Sequence, residues 1–282
     1  MRKKWMLAAA AWLVLGAAVF GWLARGSGRA SLAAGESGAV NLPVILKPEN
    51  TPTPTIPPSP TPRPTPIPPA DGNWIENGSF ETGWTDLPPV EGSLINQNPN
   101  GWTLSWLEKG ETVWDLRTIH PEDPQVGVVS GVAEMIHKLN HQLPPNEQIG
   151  GPDALILDGL AVYKMFHRGA AFGGQLTQTV TLPAGTWRLT VPVQLHWHEN
   201  LDPDDPTWDT YTAESGAWVL FGGQQVGGWA TARDMGDRDW YYHRVEFTLT
   251  EQQDVEILIR VKSIYRSPKD FFIDAVELRE IE

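Results

Sequence analysis

The chain has 282 residues, among them 14 Trp, 25 Pro and 27 Gly, with no Cys and a formal net charge of −13. The lack of Cys excludes a disulfide scaffold, a thiolate zinc site and a Cys nucleophile together. Residues 1–30 carry five basic side chains and no acid, residues 31–70 sum to zero, and residues 71–282 carry 14 Lys/Arg against 32 Asp/Glu, a charge of −18. An acidic head of this size is long enough for one large domain with its own core. Its charge argues against nucleic acid as a partner, which demands a basic footprint on the phosphates.

Three unlike segments follow one another: 1–30, 31–70 and 71–282. Arg2, Lys3 and Lys4 precede an uncharged run from Trp5 to Ala24. At 1.5 Å rise per residue its twenty residues just cross a hydrocarbon core of roughly 30 Å. Signal-peptide cores usually stop at about 15 residues, so an uncleaved membrane anchor is favoured over a signal peptide cleaved within Ser31-Leu32-Ala33. Either reading places the head outside the cytoplasm, at the cell surface or secreted. From Pro48 to Pro69 the chain holds 11 prolines in 22 residues. Proline fixes φ and removes the amide donor, so an extended polyproline-II linker is expected, on the order of 70 Å long.

Beyond Asp71 short alternating runs are broken by Gly, Pro, Asn and Asp. Strands are expected at Trp102–Leu107, Thr112–Leu116, Leu160–Phe166, Leu176–Leu182, Trp218–Phe221 and Phe271–Leu278, and a short helix at Val132–Leu139. The strongest signal is Thr186–His198, where Trp187, Leu189, Val191, Val193, Leu195 and Trp197 share one parity. Pro192 on the other parity suggests an edge strand or a bulge. Pro183-Ala184-Gly185 is expected to join this strand to Leu176–Leu182 as a hairpin. Trp240–Leu249 and Asp254–Lys262 alternate as regularly. The head is therefore all-β, a two-sheet antiparallel β-sandwich. Asp86–Asn100, Thr118–Gly151 and Glu199–Gly216 do not fit the strand rhythm and are expected to be long loops of functional interest.

Three segments carry a family resemblance. Asn73-Trp74-Ile75-Glu76-Asn77-Gly78-Ser79-Phe80-Glu81, with Gly83-Trp84 and Gly101-Trp102, resembles the opening of galactose-binding-like jelly-roll carbohydrate-binding modules. Gly174–Leu189 is similar to their "Q-T-V-x-L-x-x-G-x-Y-x-L" segment, and Phe272–Leu278 to their closing "I-D-D-V-x-L" strand. The matches lie in order and span nearly the whole head. The resemblance implies a jelly roll without catalytic machinery that binds a polysaccharide or surface glycan. It also implies a structural Ca²⁺ held by Glu81 and Asp274, with carbonyl oxygen near Ser79; such an ion takes six to eight hard oxygens.

Eleven Trp lie in the head. Trp106, Trp208, Trp229 and Trp240 stand among polar or loop neighbours and are candidate platforms for sugar rings. The polar parity of the long strand supplies Arg188, Gln194, His196 and His198. If the Trp240 strand is its neighbour, Trp240, Tyr242 and Arg244 join the same face, pairing aromatic stacking with planar donors. The alternative is an ordinary solvated face. His196 and His198 also form an H-x-H pair that would need a third ligand such as His167 or His243 to hold a transition metal. Glu199, Asp202, Asp204, Asp205 and Asp209 crowd one loop that lacks the EF-hand's central Gly. No hydrolase, zincin, phosphate-loop or dinucleotide signature is present. A glycan-binding module is thus the leading reading; a structural or adhesive surface domain and a polysaccharide hydrolase or lyase are the alternatives. Oligomeric state and sugar identity are not readable.

Overall fold

Period-two alternation sorts the strands of the head into two antiparallel sheets. The computed structural model describes residues 66–89, 95–107, 131–167, 171–197, 213–263 and 269–281. The expected anchor, most of the linker, the Thr112–Leu116 strand, His198, Trp208 and the acidic loop of residues 199–209 lie outside the described residues. No described helix is long and apolar enough to cross a membrane.

One sheet has the order β10 (Trp240–Leu249), β7 (Gly185–Trp197), β12 (Lys269–Ile273), β5 (Ala161–His167), β4 (Val132–His137), with β13 (Glu277–Glu280) also paired to β7. The other runs β3 (Thr103–Trp106), β6 (Phe172–Leu182), β11 (Gln253–Ser263), β8 (Ala213–Phe221), β9 (Gln224–Thr231). A two-stranded ribbon of β1 (Trp84–Asp86) and β2 (Gln97–Pro99) occupies part of a stretch expected to be loop. Trp187, Leu189, Val191, Val193 and Leu195 of β7 share one core with Val255, Ile257, Ile259 and Val261 of β11. Each such side chain contributes about 1.5–3 kcal/mol by burial, so this shared core fixes both registers. At the entry to the head, Asn73 Oδ1 accepts from the amides of Ile75 (3.1 Å) and Leu278 (2.9 Å), while its Nδ2 donates to the Val276 carbonyl (3.0 Å).

Three expectations are corrected. Strand β7 is central, flanked by β10 on one side and by β12 and β13 on the other. Pro192 is tolerated because β12 pairs as far as Val193 and β13 starts at Thr190, so its missing N–H falls in the gap between them. Strands β6 and β7 do not form a hairpin, since the turn between them crosses from one sheet to the other. Val132–His137 is a strand, drawn into the sheet by pairing with Ala161–Phe166. Strand β9, rich in Gly and Gln, is an addition with little apolar signal.

The largest departure concerns residues 138–160, which overlap the second half of the expected loop Thr118–Gly151. They form a strap across the outer face of the six-stranded sheet. Leu143, Leu155 and Ile156 of the strap pack with Val162 and Phe272 in a second apolar cluster, flanked by Ile136 and Trp240. Two carboxylates pin its end. Asp274 Oδ2 accepts from the amides of Leu157 (2.7 Å) and Asp158 (3.1 Å), and its Oδ1 from Ala275 (2.7 Å). Glu81 Oε1 accepts from Leu160 and Ala161, both at 2.7 Å. Gly159 between these amides has φ +70°, and a Cβ there would lie 2.3 Å from Glu81 Oε1, so only glycine lets the carboxylate reach in.

Burial, partly offset by those three amides, raises the Asp274 carboxyl to about 7 from 3.8. The folded chain therefore holds this proton more tightly than the unfolded chain, and the contribution of Asp274 to stability falls as pH rises from 3.8 to about 7. The neutral imidazole of His243, bonded to Ser215 Oγ at 2.8 Å and lowered by burial to about 4, acts in the opposite sense: its contribution is lost as pH falls below 6.5. Asp274→Asn should remove the first effect alone. Urea midpoints should show the wild type losing stability relative to this variant as pH rises through that window, and an Asn amide facing backbone donors should cost about 1–3 kcal/mol.

Candidate ligand-binding face

Strand β10 does lie beside β7, with Trp240 opposite Gln194, Tyr242 opposite Pro192 and Arg244 opposite Thr190. The strap, however, divides the face expected to bind ligand. Gln194 is 0 % exposed and His196 4 %. Gln194 Nε2 donates to the Ala154 carbonyl of the strap (3.2 Å) and to the Arg238 carbonyl (2.8 Å), and its Oε1 meets His196 Nε2 at 2.8 Å. Trp240 is half-buried, and its indole N–H donates to the same Ala154 carbonyl (2.7 Å). Gln194, His196 and Trp240 are therefore interior groups with satisfied bonds, not an open platform. Arg188, Tyr242 and Arg244 remain exposed. Arg188 is held by Glu246 at 2.7 Å, and the Arg244 guanidinium lies 5.8 Å from the Tyr242 ring centre. Trp106 is corrected too: it turns inward against Gly131 and Gly174, and its N–H reaches Asn96 Oδ1 at 3.2 Å. His243 points into the core side of β10, away from His196, so the two do not converge on a metal.

The two carboxylates expected to hold calcium have backbone partners instead. Both oxygens of Asp274 and one of Glu81 are taken by backbone N–H groups, which turn their positive ends toward the space a cation would need. Ser79 sits half-buried in the adjoining turn. Among the described residues no group of three or more His, Asp or Glu is placed to hold a metal ion. These residues form a carboxylate–amide clasp and do not fit a calcium shell.

The outer face of the five-stranded sheet is chemically richer. Cross-strand register places Gln175, Arg260, Gly216 and Trp229 in one row, Lys262 and Glu214 in the next, and Thr103, Thr177, Leu258 and Trp218 in a third. Trp218 lies over Gly216, where an added Cβ would come within 2.2 Å of its ring. It meets Trp229 edge to face at 4.8 Å, and the Arg260 guanidinium lies 5.6 Å from its ring centre. Lys262 Nζ stands 4.2 Å from the Trp229 ring centre and 2.5 Å from Glu214 Oε2. That ion pair is almost fully buried, and among the described residues Glu214 Oε1 accepts no hydrogen bond. A buried acceptor left unpaired costs about 1–3 kcal/mol or more.

At the opposite edge of this face lies an open cleft of about 340 Å³, between β6 and the Trp74–Glu76 segment. Strand β3 pairs with β6 only as far as Thr177. Past that point Gln178 ties the entering chain to the edge of β6: its Oε1 accepts from the Glu76 amide (2.8 Å), and its Nε2 donates to the carbonyls of Glu76 (3.0 Å) and Gly101 (2.9 Å). The half-buried Trp74 ring is braced edge-on by Trp187 at 5.5 Å. Among the described residues, the Trp74 indole N–H, the Glu76 carboxylate and the hydroxyls of Thr103, Thr177 and Thr179 all line the cleft and bond to no other residue. These lining residues were missed in the sequence because Trp74 and Thr177 are a hundred positions apart. Of the expected platforms among the described residues, Trp229 alone is brought to this face, at its far side.

No protein-family model matches the chain, and no curated protein matches it. Solved structures with a similar arrangement of strands include several carbohydrate-binding β-sandwiches. TmCBM61, in complex with β-1,4-galactotriose, is 17% identical over 74% of this chain and 99% of its own, with a TM-score of 0.45. A family 4 carbohydrate-binding module covers 73% of this chain and 99% of its own at 10% identity and a TM-score of 0.32. A cyclase from Fischerella sp. in its apo form is also similar, at 15% identity over 73% of this chain and 94% of its own, with a TM-score of 0.42.

Gly216→Ala tests how the Trp218 ring is seated. The added methyl should displace the ring at a cost of about 1–3 kcal/mol, read as a lower denaturant midpoint and an altered near-ultraviolet Trp dichroism.

Proposed function

We propose that the head is a non-catalytic carbohydrate-binding module that takes a glycan on the outer face of its five-stranded sheet. The observation that carries this is the Trp74 cleft: one braced indole beside a carboxylate and three hydroxyls that bond to no other described residue. A sugar ring presents an apolar C–H face and a rim of hydroxyls, so it uses the indole plane and the polar groups at once. In the same reading the head is exported and held at a cell surface. Its support is the basic flank, the apolar run from Trp5 to Ala24 and the proline-rich stretch from Pro48 to Pro69.

The strap favours a second reading. A face that buries Gln194 and His196 beneath residues 138–160 suits a structural or adhesive domain whose surface contacts protein. One measurement separates the two. Calorimetry against neutral, acidic and wall polysaccharides should find a ligand whose affinity falls at least tenfold, or about 1.4 kcal/mol, in Trp74→Ala. Thr179→Val, which keeps the shape of an exposed side chain and removes only its hydroxyl, should weaken binding without lowering stability. Failure of every glycan to bind would leave the adhesive reading in possession.

A further inference from the structure

The cleft has a charge pattern that narrows its ligand, and this step rests on the glycan-binding reading above. We propose that the cleft selects a sugar bearing a protonated amine, a hexosamine without its acetyl group, over neutral or uronic-acid sugars.

The argument begins at Glu76. Its backbone is fixed on both sides by Gln178, and its side chain lies over Gly101, where an added Cβ would stand 3.0 Å from the Glu76 Cγ. The carboxylate is thus positioned rather than free to wander. Among the described residues it has no cation partner, and no Lys, Arg or His is among those lining the cleft. Glu256 adds a second exposed acid on the same face, directly across from Thr179 in the register of β11 and β6. Elsewhere on the sheet the acids have partners: Glu214 is paired with Lys262, and Asp254 accepts from the Thr181 hydroxyl.

An ionised carboxylate without a counter-charge favours an ammonium group twice over. It forms a charge-assisted hydrogen bond, about twice as strong as a neutral one, and the neighbouring indole face attracts a cation. The hydroxyls of Thr103, Thr177 and Thr179 then serve the remaining sugar oxygens. A uronate or sulfated sugar would place like charge against Glu76 in a head that already carries −18 over residues 71–282. The volume of about 340 Å³ is at the small end of ligand sites, room for one or two sugar rings and not for a long run of polymer.

The test is titration of the head with three disaccharides at physiological salt: the glucosamine dimer, its N-acetylated counterpart and a galacturonate dimer. The amine form is expected to bind about tenfold more tightly than the acetylated form, and the uronate not measurably. Glu76→Gln should abolish the preference, bringing the affinity for the amine form down to that for the acetylated form. Glu251→Gln, which removes one exposed charge elsewhere, should leave the preference intact and so separates the site from general attraction to an acidic protein. Equal binding of the amine and acetylated forms, or a preference that survives Glu76→Gln, overturns the inference and leaves glycan binding standing. If no sugar of any charge binds, here or across the polysaccharide panel, the glycan reading falls as well.

Discussion

The arrangement of the head turns on two carboxylates that hold backbone amides. Asp274 sits where β12 ends and β13 has not begun, and Glu81 sits in the opening turn; between them they collect the N–H groups of Leu157, Asp158, Leu160 and Ala161. Buried backbone donors must find acceptors, and a strap lying across a sheet has few of its own. The clasp supplies them, and the apolar cluster of Leu143, Leu155 and Ile156 does the rest. The gap in the sheet that accommodates Pro192 is the same gap in which Asp274 reaches the amides of the strap. A proline in a central strand and a buried acid are thus two sides of one local break.

Once the strap is down, the two sheets have different work to do. The six-stranded sheet is covered over the second half of β7, and its polar residues there become internal bonding groups. The five-stranded sheet keeps an outer face with two indoles, a buried ion pair and an open cleft at its edge. The proposed ligand site is placed on the second sheet because, among the described residues, the Trp74 indole N–H and the Glu76 carboxylate at its edge form no hydrogen bond.

Much of the fold was legible because alternation is a local property. Strands β7, β10 and β11 show it over ten or more residues, and their inward sides are those expected. Strand β4 was not legible, since Val-Ala-Glu-Met-Ile-His satisfies a helical turn as well as a pleat and only the pairing with β5 decides. The candidate site was harder. Polar parity at Gln194 and His196 has the same pattern whether the residues face water or lie under a strap, because hydrogen bonds to Ala154 and Arg238 replace those to solvent. Glu81 and Asp274 were found as a pair by resemblance, but their partners are amides from a distant segment that carries no motif. The cleft joins Trp74 and Glu76 to threonines a hundred residues on, a juxtaposition made only by the side chain of Gln178.

The Asn73 clamp has a mechanical side. It bonds the first residues of the head to Val276 and Leu278, so both ends of the fold are fastened at one spot. Tension arriving along the chain from residue 66 is met by the Arg279 guanidinium at the Asp71 carbonyl and then by the Asn73 bonds to Val276 and Leu278, one residue before the indole of the cleft. A pull strong enough to unzip them would draw Trp74 away from Trp187 and open the cleft that Trp74 lines.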